Sequence, residues 1–191
     1  GRRARAGRGL GVGAGPLSRR QGHRRGVCVG AAGGGVASAP PDACAGLVLA
    51  DTGAGADSEQ GRAGRESLRG VIKAKGTQGV AEEMLPKLVG QTTRGRRPEV
   101  MDRVRRLVEG QTGQGVDAAI VRLRDRPDST SLLQEIRVPA LVVVGEEDVV
   151  TPPSESELMQ ARLGDAQLAR IPEAGHLSSM ENPAAFNAAL G

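Results

Sequence analysis

The stretch that most restricts the fold is RVPALVVVGEEDVVTPP, residues 137–153. Five apolar residues, Ala140 to Val144, stand between Pro139 and Gly145. The run is too short for a helix and rich in β-branched valine, so it predicts a strand buried on both faces. A doubly buried strand belongs to a parallel sheet, and parallel neighbours need crossover connections. The flanking sequence supplies them. SESELMQARLG reads as a helix, with Ser154 as N-cap, Glu157 at the capping-box position and Gly164 ending it. AQLARIP reads as the next strand, and GHLSSMENPAAFNAAL as a closing helix that Pro183 can begin. Upstream, GLVLADT (46–52) is another short apolar run that opens onto a loop. Strands alternating with helices in this way predict an α/β domain around a parallel sheet.

Between GLVLADT and the valine run the period changes. GRESLRGVIKAKG and GVAEEMLPKLVG carry apolar residues at helical spacing with glycine at their ends. RPEVMDRVRRLVEGQ (97–111) has Pro98 in its first turn and a stripe of Val100, Val104, Leu107 and Val108. GVDAAIVRLRDRP (115–127) is a further helix stopped by Pro127, and DSTSLLQEI follows with Asp128 or Ser129 as N-cap. Residues 57–135 are therefore expected to form a helical cap inserted above the sheet edge. The sheet core is expected to comprise residues 46–56 and 136–191.

Residues 1–45 differ in kind. They hold twelve glycines, eight arginines and one aspartate, a net charge of +7 in a chain whose total is +4. Neither the helix nor the strand period persists there, so the segment is expected to be largely disordered. Its composition also resembles a GC-rich coding sequence translated in a shifted frame. A basic tail suits phosphate contacts, but the chain has one Phe and no Tyr or Trp to stack bases. Nucleic acid is therefore not the expected partner. Cys28 and Cys44 make neither a disulfide framework nor a metal site. No apolar run reaches the length of a membrane span and no signal peptide is visible, so a soluble cytoplasmic protein without cofactor or metal is expected.

Ligands of open parallel sheets sit beyond the carboxyl ends of the strands. Asp148 follows one predicted strand and His176 the next, with 27 residues between them. An Asp that orients a His is the rear half of a nucleophilic triad, and acid before base is the order seen in α/β-hydrolases. IRVPALVVVGEEDVVTPPSESELM and IPEAGHLSSMENPAAFNAAL together resemble the C-terminal end of an α/β-hydrolase fold protein, of the bacterial esterase, enol-lactonase and perhydrolase-like group. GLVLADT resembles the strand that follows the nucleophile helix in that family, and residues up to DSTSLLQEI resemble its helical cap. The resemblance covers about residues 46–190. It implies a partial α/β-hydrolase fold, Asp148 as triad acid, His176 as triad base and a small ester or lactone as substrate.

The family's nucleophile is a Ser in a G-x-S-x-G turn, and no such pattern occurs in this chain. GVCVG (26–30) has the form G-x-C-x-G, which makes Cys28 the candidate nucleophile. Its flanks, RRQGHRRGV before and AAGGGVASAPPDACAG after, do not read as the strand and helix of a nucleophile elbow. Ser38, Ser178 and Ser179 lack an elbow as well, and His23 does not stand in the order of an oxyanion-loop His-Gly. Three readings follow. They are an ester or lactone hydrolase acting through nucleophile, His and Asp; a degenerate, non-catalytic relative; and a binder that uses the basic tail.

Overall fold

In the computed structural model, which describes residues 26–30 and 44–191, the valine run is the strand Ala140–Gly145. It is β3 of a four-stranded parallel sheet ordered β1-β2-β3-β4, with β1 at Gly26–Gly30, β2 at Cys44–Ala50 and β4 at Ala166–Ile171. All four strands run the same way, so Gly30, Ala50, Gly145 and Ile171 end on one edge. β2 starts at Cys44, two residues ahead of the expected Gly46. The Gly/Arg-rich segment contributes β1, an element that the expectation of disorder over 1–45 did not contain. Residues 1–25 and 31–43, to which the rest of that expectation applies, lie outside the described residues.

The valine run is buried on both sides because two layers cover it. On one face Ala140 and Val142 meet Leu47, Leu49, Leu133 and helix α5 (Pro153–Arg162), through Met159 and nearby Leu163. On the other, Leu141 and Val143 meet Val48, Ala50, Ile171 and helix α7 (Pro183–Leu190), through Ala185, Phe186 and Ala189. This is the period-two alternation of a strand, with both faces apolar. Val142 and Val143 are wholly buried, and each such side chain contributes about 1.5–3 kcal/mol.

α5 corrects the expected cap. The helix starts at Pro153, and Ser154 lies inside it rather than at its N-cap, with no side-chain cap bond. Proline's fixed φ suits the first helical position, so Pro153 starts the helix one residue before the Ser-x-x-Glu pattern can cap it. The helix ends at Arg162, ahead of Gly164.

The regular elements between β2 and β3 are all helices. α1 spans Glu59–Leu88 and breaks at Gly76, whose φ of 66° and ψ of −162° lie outside the helical region. The break falls between the two amphipathic stretches read from the sequence. α2 (Gln91–Arg96), α3 (Pro98–Glu109), α4 (Gly113–Arg124) and a 3-10 helix (Thr130–Glu135) follow. Leu68, Ile72, Val80 and Ile120 form one small core. Ala81, Leu85, Val89 and Val104 form another, which reaches Leu177 and Met180, at the start of and within the short helix α6 (Ser178–Glu181) that follows β4. Val104 of the expected α3 stripe is buried, whereas Leu107 is 51% exposed. No helix among the described residues is long and apolar enough to cross a membrane.

Candidate active site

The loops after β3 and β4 leave the same sheet edge, and they bring Asp148 and His176 together. His176 Nδ1 lies 2.9 Å from Asp148 Oδ2. The Asp148 side chain is fully buried, while the His176 side chain keeps 21% of its exposure. The Asp148 carboxylate is held from four directions. Oδ1 accepts the backbone N–H groups of Val150 (2.8 Å) and Thr151 (3.0 Å), and Oδ2 accepts the Thr151 hydroxyl (2.8 Å) as well as the His176 ring. This Asx turn builds the acceptor from the chain's own next three residues. Burial alone pushes the Asp148 carboxyl upward. The hydrogen bond and charge of His176, with the Thr151 N–H and hydroxyl, outweigh it and hold the group below its ordinary value.

With Asp148 ionised, His176 donates its Nδ1 proton to Oδ2, which sets the tautomer and leaves the lone pair on Nε2. Thr151 Oγ1 also lies 3.2 Å from Nδ1. Among the described residues, both hydrogen bonds of the ring are made at Nδ1. A ring that is anchored at one nitrogen, partly exposed and basic at the other can take a proton from a neighbouring hydroxyl or thiol.

A second carboxylate sits behind the pair. Asp51 directly follows β2, in a left-handed conformation with φ of 47°. It accepts the Ser178 N–H (3.1 Å) and hydroxyl (2.7 Å) on Oδ2, and the Gly145 N–H (3.2 Å) on Oδ1. It thereby ties the end of β3 to the residue two places after His176. Burial pushes its carboxyl up to about 6, against the lowering effect of the Ser178 hydrogen bonds and the His176 charge. Ser178 is wholly buried and donates to Asp51.

Cys28 is not brought to this edge. Its Cα pairs with Leu47, and Leu47 pairs with Ala140, the first residue of β3. Along β3 that level is five residues short of Gly145, or about 16 Å at roughly 3.3 Å per residue, and along β1 it is two residues short of the strand end at Gly30. The chain past β1 reads Gly30-Ala31-Ala32-Gly33-Gly34. That is the glycine spacing of G-x-S-x-G with Ala32 where the pattern has Ser. Looking only for Ser or Cys between the glycines misses it.

The family model described as "Alpha/beta hydrolase family" matches residues 7–189. The chain belongs to the alpha/beta hydrolase family. Among solved structures of this fold, a thermophilic esterase from Thermogutta terrifontis superposes with a TM-score of 0.74 at 37% identity, over 78% of this chain and 55% of that one. The enol-lactonase from Burkholderia xenovorans LB400 superposes at 0.70 and 21% identity, over 78% and 55%, a likeness of fold. The pimeloyl-[acyl-carrier protein] methyl ester esterase of Neisseria meningitidis serogroup B is 35% identical over 75 residues, 39% of this chain and 27% of the relative. This alpha/beta hydrolase chain thus spans about a quarter of the length of that curated relative and just over half of the two solved ones.

Two groups of this site, Thr151 and Asp51, are not among those expected from the sequence. The Asp148-Val-Val-Thr151 spacing is a turn signal that could have given Thr151 its place. Asp51 stands at the end of the apolar run GLVLADT, and nothing local marks a carboxylate whose partners are 94 and 127 residues away.

Proposed function

We propose that this chain carries the acid–base half of an ester or lactone hydrolase, with His176 as general base and Asp148 as its orienting acid, and with alanine in the nucleophile's place. The observation that carries this reading is the 2.9 Å contact between His176 Nδ1 and a fully buried Asp148. In such a site Nε2 takes the proton of the attacking hydroxyl as it adds to the acyl carbon. Asp148 stabilises the imidazolium that forms, and the proton then passes to the leaving alkoxide. The similarity to an esterase at 37% identity and to a methyl ester esterase at 35% supports the ester as substrate class. The helical segment 57–135 would act as the cap that shapes the acyl pocket.

The register argues against Cys28 as the attacking group, because a nucleophile must lie within hydrogen-bond reach of its base. The chain is therefore expected to hydrolyse p-nitrophenyl acetate at a rate close to that of buffer, unchanged by His176→Ala or Cys28→Ala. A wild-type rate well above buffer that collapses in His176→Ala would show a complete site. Loss in Cys28→Ala as well would name the thiol. Salt-dependent DNA binding would favour the basic-tail reading instead.

A further inference from the structure

Glu181 is a carboxylate only 3% exposed. Among the described residues its side chain has no cationic partner. Oε1 accepts the N–H groups of Gly175 (2.9 Å) and Leu177 (3.2 Å), the residues on either side of His176, and Oε2 accepts the Gly90 N–H (2.7 Å). Gly90 is the N-cap of α2, in the helical segment. One buried side chain therefore grips the backbone before and after the base and joins it to the cap segment.

The junction is fastened twice more. Glu147, the neighbour of Asp148, accepts the Thr92 N–H (2.8 Å) and hydroxyl (2.5 Å), so the acid's loop also holds the start of α2. At the other end of α2, Arg97 donates to the Glu181 carbonyl (2.7 Å) and to the Glu173 carboxylate (2.6 Å). The two backbones lie so close that a Cβ on Gly175 would collide with Gly90. Glu173 takes a left-handed φ of 55° at the turn leading to His176. A turn strained in this way persists only where its surroundings enforce it.

We propose that Glu181 is a positioning residue for His176, with α2 as its anchor, so that displacing α2 loosens the Asp148–His176 hydrogen bond. The proposal rests on the reading of that pair as the acid–base half of the site. A carboxylate suits the task because it accepts on both oxygens, and glutamine cannot. Whichever way the amide of glutamine faces, its NH2 group meets a backbone N–H, so one side of the grip opens.

The test is NMR of the full chain labelled with 15N-histidine, with His23→Gln to leave one histidine. Exchange of the His176 Nδ1 proton is measured by magnetisation transfer from water, together with amide exchange at Gly90, Gly175 and Leu177. In Glu181→Gln, exchange of the ring proton is expected to quicken by about fivefold or more, while amides of the α1 core around Leu68 and Ile72 keep their protection. Thr92→Val, which removes only the hydroxyl to Glu147, is expected to quicken it about twofold, and it alone decides if Glu181→Gln fails to fold. An unchanged ring proton in the deciding variant overturns the proposal and leaves the acid–base reading standing. A wild type with no hydrogen-bonded Nδ1 proton overturns the pair itself.

Discussion

Asp148 and Asp51 lie at neighbouring strand ends and respond to pH in opposite senses. Asp148 is held below its ordinary range, so it stabilises the fold above pH about 4 and that contribution is lost as pH falls. Asp51 is raised from 3.8 to about 6. Between those values the folded chain binds more protons at Asp51 than the unfolded chain does, so stability falls as pH rises through the window. The loss is at most about 3 kcal/mol and smaller with solvent access to the carboxylate. Urea midpoints of the wild type and Asp51→Asn at pH 4 to 7 are expected to converge or cross, because the variant lacks the downward slope. Parallel curves would show that Asp51 does not titrate there. The meeting of Asp148 and His176 was legible in the sequence because each stands just past a strand of a parallel sheet. Asp51 and Glu181 were not, since what defines them is which distant backbone amides they meet.

Among elements, glycine and proline carried most of the readable information. Pro98 begins α3 and Pro183 begins α7, as read from the sequence. Gly76 divides α1 where two helical patterns meet. Its φ and ψ belong to a region open essentially to glycine alone, at a cost of about 1–3 kcal/mol for other residues. A Cβ there meets nothing within 4 Å, so Gly76→Ala isolates the backbone effect. The variant is expected to lose about 1–3 kcal/mol in urea unfolding followed by far-UV circular dichroism. No loss would mean that α1 runs straight at that point. Capping was the less legible feature. The Ser-x-x-Glu pattern at Ser154 competes with Pro153 for the helix start, and the proline prevails. In α3 the stripe residues Val100, Val104 and Val108 pack against the helical cores, while Leu107 stays exposed.

For the whole molecule, the parallel sheet and the helical segment between β2 and β3 were readable because a doubly buried valine strand and amphipathic helices have different periods. β1 was not, since GVCVG sits among glycines and arginines with no apolar pattern of its own, and only its pairing with β2 defines it. That pairing bears on the proposal that Asp148 and His176 are an acid–base pair and that Ala32 stands in the sequence at the Ser position of the G-x-S-x-G spacing. The direct measurement is the initial rate on p-nitrophenyl acetate of the wild type, Ala32→Ser, and Ala32→Ser combined with His176→Ala. A positioned general base is worth about 10²–10⁴ in rate. The wild type is predicted to stay near buffer, Ala32→Ser to exceed it by about tenfold or more, and the double variant to return to the wild-type level. A wild-type rate well above buffer that depends on His176, or an Ala32→Ser rate equal to wild type, would contradict the account.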